Sequence, residues 1–244
     1  MIGNACCKAN KRMIAITFAL PAESSEFLSR LRNKSRADRN GIRIIRGNVD
    51  DREIEVLHTG VGERVCREHV GKFLPDQQFE FLISTGFAGA LDHQLGVGDL
   101  LLAKNFSTID LSARRLSLSN LPIHIADLLT VSALIDSTDE RNKIARTSGA
   151  AAVDMETEFI ARACAARGVP LLSLRVITDT PRKPFPAPPK VLFDIQQQRT
   201  NMLKLARFFL AHPNCVPQLV QFARRIARAR MTLANVLITV VRGL

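Results

Sequence analysis

Phe79-Glu80-Phe81-Leu82-Ile83-Ser84-Thr85-Gly86-Phe87-Ala88-Gly89 holds a short apolar run followed by a segment with two glycines. A run of this length, bounded by a turn signal, predicts a strand over Phe79 to Ser84 and a tight turn over Thr85 to Gly89. An apolar run without alternation fits a strand buried on both faces, as in sheets covered by helices on either side. The signature recurs outward along the chain. Met13 to Leu20 is an apolar run ended by Pro21, and Pro170 to Ile177 is another, ended by Thr178-Asp179.

Between these runs the spacing changes to that of helices. Pro21 and Glu23 open a helix with proline in its first turn and an acid where the helix dipole favours one. Gly41 to Arg46 and Glu53 to His58 form a predicted hairpin pair. Thr59-Gly60-Val61-Gly62 is a tight strand-to-helix turn before a helix from Glu63 to Phe73, and Gly98-Asp99 introduces a strand from Leu100 to Lys104. A helix is predicted over Val153 to Arg167. Five prolines at 181, 184, 186, 188 and 189 make the next segment a loop, and two or three helices follow Leu192. The expected architecture is α/β: a single domain with a central mixed, twisted sheet flanked by helices, and with C-terminal helices. Its ligand crevice should lie beyond the carboxyl ends of the strands, where Ala19 to Glu23, Thr59 to Gly62, Thr85 to Gly89 and Thr178-Asp179 converge.

Composition narrows the class further. Of 244 residues 46% are hydrophobic and 23% charged, the balance of a chain with a sizeable core. Trp and Tyr are absent, so any base-stacking ring must be Phe or His. The net charge of +11 is concentrated in the tail: after Asp194 there are eight basic residues and no acidic one, while the rest carries 26 basic and 23 acidic. Without interleaved Tyr or Trp or a recognised binding motif, this excess does not point to nucleic acid. The five cysteines show no metal-ligand or CxxC spacing, so no metal site, no disulfide framework and a reducing, cytoplasmic setting are expected. Cys66 and Cys164 fall in apolar helical patterns and belong to the core. Residues 1–12 read as a flexible leader with no secretory signal, although Cys6 and Cys7 also suit lipidation. No uninterrupted apolar stretch reaches the length of a membrane span.

Four segments in order resemble the nucleoside phosphorylase superfamily, and within it the methylthioadenosine/S-adenosylhomocysteine nucleosidases. They are Ile14 to Glu23 (IAITFALPAE); His58 to Glu63 (HTGVGE); Ser84 to Leu91 (STGFAGAL) with Leu95 to Leu100 (LGVGDL); and Ala152 to Glu156 (AVDME) with Leu174 to Asp179 (LRVITD). The resemblance covers residues 13 to about 180 and makes 13–190 a phosphorylase-like catalytic domain. It implies cleavage of the N-glycosidic bond of a purine nucleoside or nucleoside-like substrate, without a cofactor, by a homo-oligomer with a dimer favoured. It implies Asp179 as the acid that protonates the departing base, Glu156 as the ribose-binding carboxylate with Met155 packed on the sugar, and Glu23 as the group that holds the attacking water. Gly62, Gly86, Phe87 and Ala88 then border the substrate. Two carboxylates on opposite sides of a glycosidic carbon is the general logic of hydrolytic cleavage.

Plainer roles compete with each assignment. Glu23 also suits a solvated first helical turn, Asp179 a turn cap, and Glu156 a buried ion pair with Arg175. The glycines also suit tight turns alone, and His58 and His93 suit structural or exposed positions. The chain departs from the nucleosidase pattern at Phe87, where a small polar residue is usual. It departs again over Asp136 to Thr147, which offers no aromatic ring for the base; Phe185 is the substitute. No early arginine stands where the phosphorylase branch grips phosphate, which favours water over phosphate as co-substrate unless Arg64 or Arg114 reaches in. A nucleoside-binding sensor without catalysis is the rival that retention of all three carboxylates opposes.

Residues 191–244 form a basic helical segment. Pro217 to Val241 has apolar residues at 219, 222, 226, 229, 233, 237 and 240, with Arg224, Arg225 and Arg228 away from the centre of the stripe. Two readings stay open: a helix packed on the domain or on a partner subunit, and a basic amphipathic helix on the anionic inner face of a membrane. The second resembles the hopanoid-associated phosphorylases and implies a nucleoside with a lipid or bulky 5′ group.

Overall fold

The computed structural model describes residues 13–75, 77–109, 123–135, 137–183, 185–188, 191, 193–194, 196–198 and 202–243; the expected leader at 1–12 and Arg114 lie outside them. Among the described residues, ten strands make one mixed sheet with helices on both faces. Its centre is three strands that the sequence marks as apolar throughout. β1 (Met13–Phe18) lies between β4 (Arg52–His58) and β5 (Phe79–Ala90), and β5 also pairs with β10 (Leu171–Asp179), all in parallel. Parallel pairing turns the carboxyl ends of these four strands toward the same side.

One flank is antiparallel: β2 (Arg32–Arg39) pairs with β3 (Ile42–Val49), which forms the expected hairpin with β4. On the other flank β6 (Leu100–Ala103) runs antiparallel to β10 and parallel to β7 (Ile123–Ala126). The short strands β8 (Leu128–Thr130) and β9 (Ala152–Asp154) pair with each other, and β9 joins the far end of β5.

Helices α2 (Glu63–Phe73) and α4 (Thr157–Ala165) bury Cys66, Val70, Phe73, Ile160 and Cys164 against one face of the sheet. The other face is covered by α1 (Pro21–Ser29) and by the long C-terminal helix α6 (Val216–Gly243). From Ala229 onward the apolar stripe of α6 is buried in the main core: Leu233, Ala234, Val236, Leu237, Val240 and Val241 pack on β1, β5 and β10 residues. That half of the stripe is therefore occupied by the protein's own sheet, with Arg30–Asn235 and Arg242–Asp50 contacts at its edges. Helix α5 (Met202–Ala211) precedes it. No helix of the described residues is long and apolar enough to cross a membrane.

Two sequence expectations need correction. Thr85 to Gly89 is not a turn: β5 continues through it, because β10 lies alongside in register from Leu174–Thr85 to Ile177–Ala88 and carries the ladder across both glycines. The helix expected from Val153 starts only at Thr157, since Val153 and Asp154 are strand residues paired with β5 and β8. Helix α3 (Thr138–Ser148) stands before β9, with Ser137 accepting from the Glu140 N–H at its start and Gly149 in the left-handed region at its end.

Candidate active site

The strand ends expected to converge do so. A cleft of about 400 Å³ is lined by Ala19, Leu20 and Glu23 after β1, Val61 after β4, Phe87 to Gly89 of β5, and Thr178-Asp179 of β10. Met155 and Glu156 join from the β9–α4 junction. Of the site residues expected from the sequence, Glu23, Phe87, Ala88, Met155, Glu156 and Asp179 line it; Gly62 donates to Glu156, and Gly86 lies against Glu23.

Glu23 is buried and turned back on the strand end before it: its Oε2 accepts the Ala19 N–H at 3.0 Å and the Leu20 N–H at 3.4 Å. The position of this carboxylate accounts for Gly86. That residue has φ of 156°, and a Cβ there would stand 3.0 Å from Glu23 Oε2. Burial pushes the Glu23 carboxyl up to about 7, against the pull of the backbone N–H groups and of Arg175. Glu23 is thus no solvated helix residue.

Glu156 is not one turn into a helix. It occupies the cap position before α4, and its Oε1 accepts the Gly62 N–H at 2.8 Å. Gly62, with φ of 85°, is the cap of α2, so the carboxylate meets a helix N-terminus. Burial raises the Glu156 pKa and the neighbouring Asp154 carboxylate raises it further, while the Gly62 bond lowers it.

The ion pair anticipated between Glu156 and Arg175 is made by Asp154 instead. Arg175 donates to Asp154 Oδ2 from Nε at 3.1 Å and from Nη2 at 3.0 Å, and to Ser84 Oγ at 2.8 Å; it also contacts Thr157 Oγ1. Asp154 in turn accepts the Thr157 N–H and hydroxyl and the Thr130 hydroxyl. Glu156 is left facing the cleft. Between it, Glu23 and Arg175 lies a chamber of about 10 Å³, the room of a single water, also lined by Thr17 and Thr85. The Thr17 and Thr85 hydroxyls have no hydrogen-bond partner among the described residues.

Asp179 sits at the carboxyl end of β10 and is 3% exposed. It is not a turn cap. Its Oδ1 accepts from the Thr178 hydroxyl at 3.1 Å, and its Oδ2 meets Nη2 of Arg141, a residue the sequence reading did not single out. Burial pushes the Asp179 pKa up, and the Arg141 charge opposes it. Phe87 and Ala88 line the cleft as expected, Phe87 occupying space beside Glu23. Phe185 reaches the cleft too and packs edge-on against Phe222 of α6 at 5.9 Å, with Phe193 and Ile226 beside them. His58 is structural: it pairs with Ser24 Oγ at 2.7 Å, and burial lowers its pKa to about 4. Arg64 does not line the cleft; among the described residues the cations that do are Arg141 and Arg230.

Comparison with known proteins agrees with the fold. The family model of the phosphorylase superfamily matches residues 108–211. A 5′-methylthioadenosine/S-adenosylhomocysteine nucleosidase from Staphylococcus aureus is 25% identical over 200 residues, covering 68% of this chain and 86% of the relative. Among solved structures, futalosine hydrolase of Helicobacter pylori superposes with a TM-score of 0.70 at 17% identity, covering 96% of this chain and 99% of that one. The Streptococcus pneumoniae methylthioadenosine/adenosylhomocysteine nucleosidase, solved with a transition-state inhibitor, gives 0.69 at 19% identity, covering 95% and 99%. The chain is thus similar to the phosphorylase superfamily in sequence over its second half, and to its nucleosidases in sequence and fold.

Proposed function

We propose that this protein hydrolyses the N-glycosidic bond of a purine nucleoside or a close analogue. The observation that carries the reading is the burial of Glu23, Glu156 and Asp179 in one cleft, each with at least one hydrogen bond that fixes it. Glu156 accepts the ribose hydroxyls with Met155 against the sugar. Water held by Glu23 attacks C1′; its oxygen bonds to C1′ and its proton passes to Glu23. The electrons of the C1′–N bond go to the base, which takes the proton of Asp179. Solvent exchange then returns Glu23 and Asp179 to their starting forms. Water suits this site better than phosphate, because a multiply charged anion beside Glu23 and Glu156 would meet like charge in a poorly solvated place. The one-water chamber beside Glu23 points the same way.

Base release from methylthioadenosine, adenosylhomocysteine, adenosine and inosine, measured with and without phosphate, tests this. Release should be independent of phosphate, and Glu23→Gln should lower kcat by about 10²-fold, at the low end of what a positioned proton acceptor contributes. Since Glu23 works ionised and burial sets its pKa at about 7, kcat/KM should rise with pH through about 7. The limb should vanish in Glu23→Gln. Strict phosphate dependence would transfer the protein to the phosphorolytic branch and remove Glu23 from the scheme.

A second reading, a nucleoside with a bulky apolar 5′ group, is favoured by the wall of Phe185, Phe193, Phe222 and Ile226. In a series of 5′-alkylthio adenosines, each added methylene should lower KM by about fourfold until the wall is covered, the value of about 0.8 kcal/mol per buried CH₂. A flat series would show that this wall meets the base alone.

A further inference from the structure

Arg141 is a long cation 2% exposed, on a helix whose other ten residues are none of them buried. Burying a charge is costly unless it is paired and hydrogen-bonded, and this one is both. Nη1 donates to the Ala90 carbonyl at 3.1 Å, and Nη2 to the Ile135 carbonyl at 2.7 Å and to Asp179 Oδ2. The two carbonyls come from the end of β5 and from the segment before α3, so the guanidinium is clamped on both sides before it meets the carboxylate. Space has been left for the contact. A Cβ at Gly89 would stand 2.9 Å from Asp179 Oδ2 and 3.1 Å from Arg141 Nη1. Both members of the pair line the substrate cleft.

Building on the hydrolytic reading above, we propose that Arg141 is the positioning residue of Asp179. Its clamped guanidinium fixes the carboxyl at the base end of the cleft and sets a cation beside the negative charge the departing base acquires. Preorganised charge in a buried site is effective because it needs no rearrangement at the moment of reaction. The pair also divides the labour within the carboxyl: Oδ2 belongs to Arg141, while Oδ1, held by the Thr178 hydroxyl, is the oxygen left to exchange a proton with the base. The other charged groups around this point are Glu23, Asp154, Glu156 and Arg230 in the cleft wall, with Arg225 of α6 acting on Asp179 from further away.

The test compares wild type, Arg141→Lys and Arg141→Met, with methylthioadenosine as probe, reading kcat, KM and the pH profile alongside thermal unfolding. Arg141→Met removes charge and aim. It should lower kcat by about 10²-fold, the scale of a misplaced reacting group, leave KM within a few-fold, and move the alkaline limb upward by about 1–3 pH units, as loss of an adjacent opposite charge requires. Arg141→Lys keeps the charge but cannot hold both carbonyls and the carboxylate. Its limb should stay at the wild-type pH while kcat falls about tenfold, the lower end of the same misplacement effect. A folded Arg141→Met with wild-type kcat, or with lowered kcat and an unmoved limb, overturns the proposal and leaves Arg141 a purely structural clamp. Should Arg141→Met fail to fold, Gly89→Ala wedges the same pair, and wild-type kcat in that variant overturns the proposal equally. Carboxyl-carbon NMR titration of Asp179 separates this from the functional reading. If no nucleoside is cleaved by wild type, the hydrolytic reading fails, yet the Asp179 titration must still move upward in Arg141→Met for the pairing to stand.

Discussion

Asp179→Asn should lower kcat by about 10²–10⁴-fold, the range general acid catalysis supplies, while KM changes little. The leaving purine cannot depart as a bare anion at an appreciable rate, and Asp179 is the carboxyl that burial and its place at the end of β10 equip to donate a proton there. Asparagine keeps the shape and can still accept from Thr178, but it has no proton of the required acidity. An interaction made only as the bond breaks is lost from kcat and kcat/KM alike and leaves ground-state binding intact. The descending alkaline limb should also disappear, because it reports deprotonation of the acid; the ascending limb near 7, which belongs to Glu23, should remain. The variant leaves Arg141 without its counter-ion, so unfolding must be followed beside activity. Circular dichroism at the assay temperature separates a folded, inactive enzyme from a collapsed one. Activity within tenfold of wild type in the folded variant would remove Asp179 from the acid role.

Much of this site is legible in the chain itself because its parts are local. A carboxylate directly after a buried strand, or a glycine where a helix must start beside one, carries its geometry in a few consecutive residues, as Glu23, Gly62 and Asp179 do. What fails to show is whatever a distant element decides. Arg141 sits in Thr138–Ser148, a stretch polar enough to suggest a solvated face, and Lys143 and Arg146 share that stretch. Only the docking of α3, through Ile144 and Ala145 against Leu91 and Val153, selects Arg141 for the interior. Strand β2 is likewise hidden: Arg-Asn-Lys-Ser-Arg-Ala-Asp-Arg has no apolar face, and it is extended because β3 offers a ladder and because Arg39, with Arg46, meets the buried Glu55. The apolar stripe of α6 is visible in the sequence, but its destination is not. The same pattern would serve a membrane, a partner or the sheet, and tertiary packing gave its second half to the sheet.

The second large effect is on stability. Arg175→Met should destabilise the fold by about 3–5 kcal/mol, the cost of leaving one member of a buried ion pair alone. The two side chains are 3% and 2% exposed, and Asp154 would keep its bonds to Thr130 and Thr157 but lose the cation that balances its charge. Urea unfolding should show a lower midpoint with an unchanged slope, the mark of altered stability rather than altered compactness. Arg175→Met combined with Asp154→Leu should recover most of the loss, because an apolar pair of similar volume pays no desolvation penalty. The pair matters for function as well as fold. Asp154 raises and Arg175 lowers the proton affinity of Glu156, and Arg175 also lowers that of Glu23. In the single and the double variant alike the activity limb near 7, which belongs to Glu23, should therefore move to higher pH, because both lack Arg175. A single variant as stable as wild type would show that the pair contributes nothing the surrounding hydroxyls do not already supply. A destabilised single variant with no recovery in the double would put the cost in lost packing and in the lost bond to Ser84 rather than in an unpaired charge.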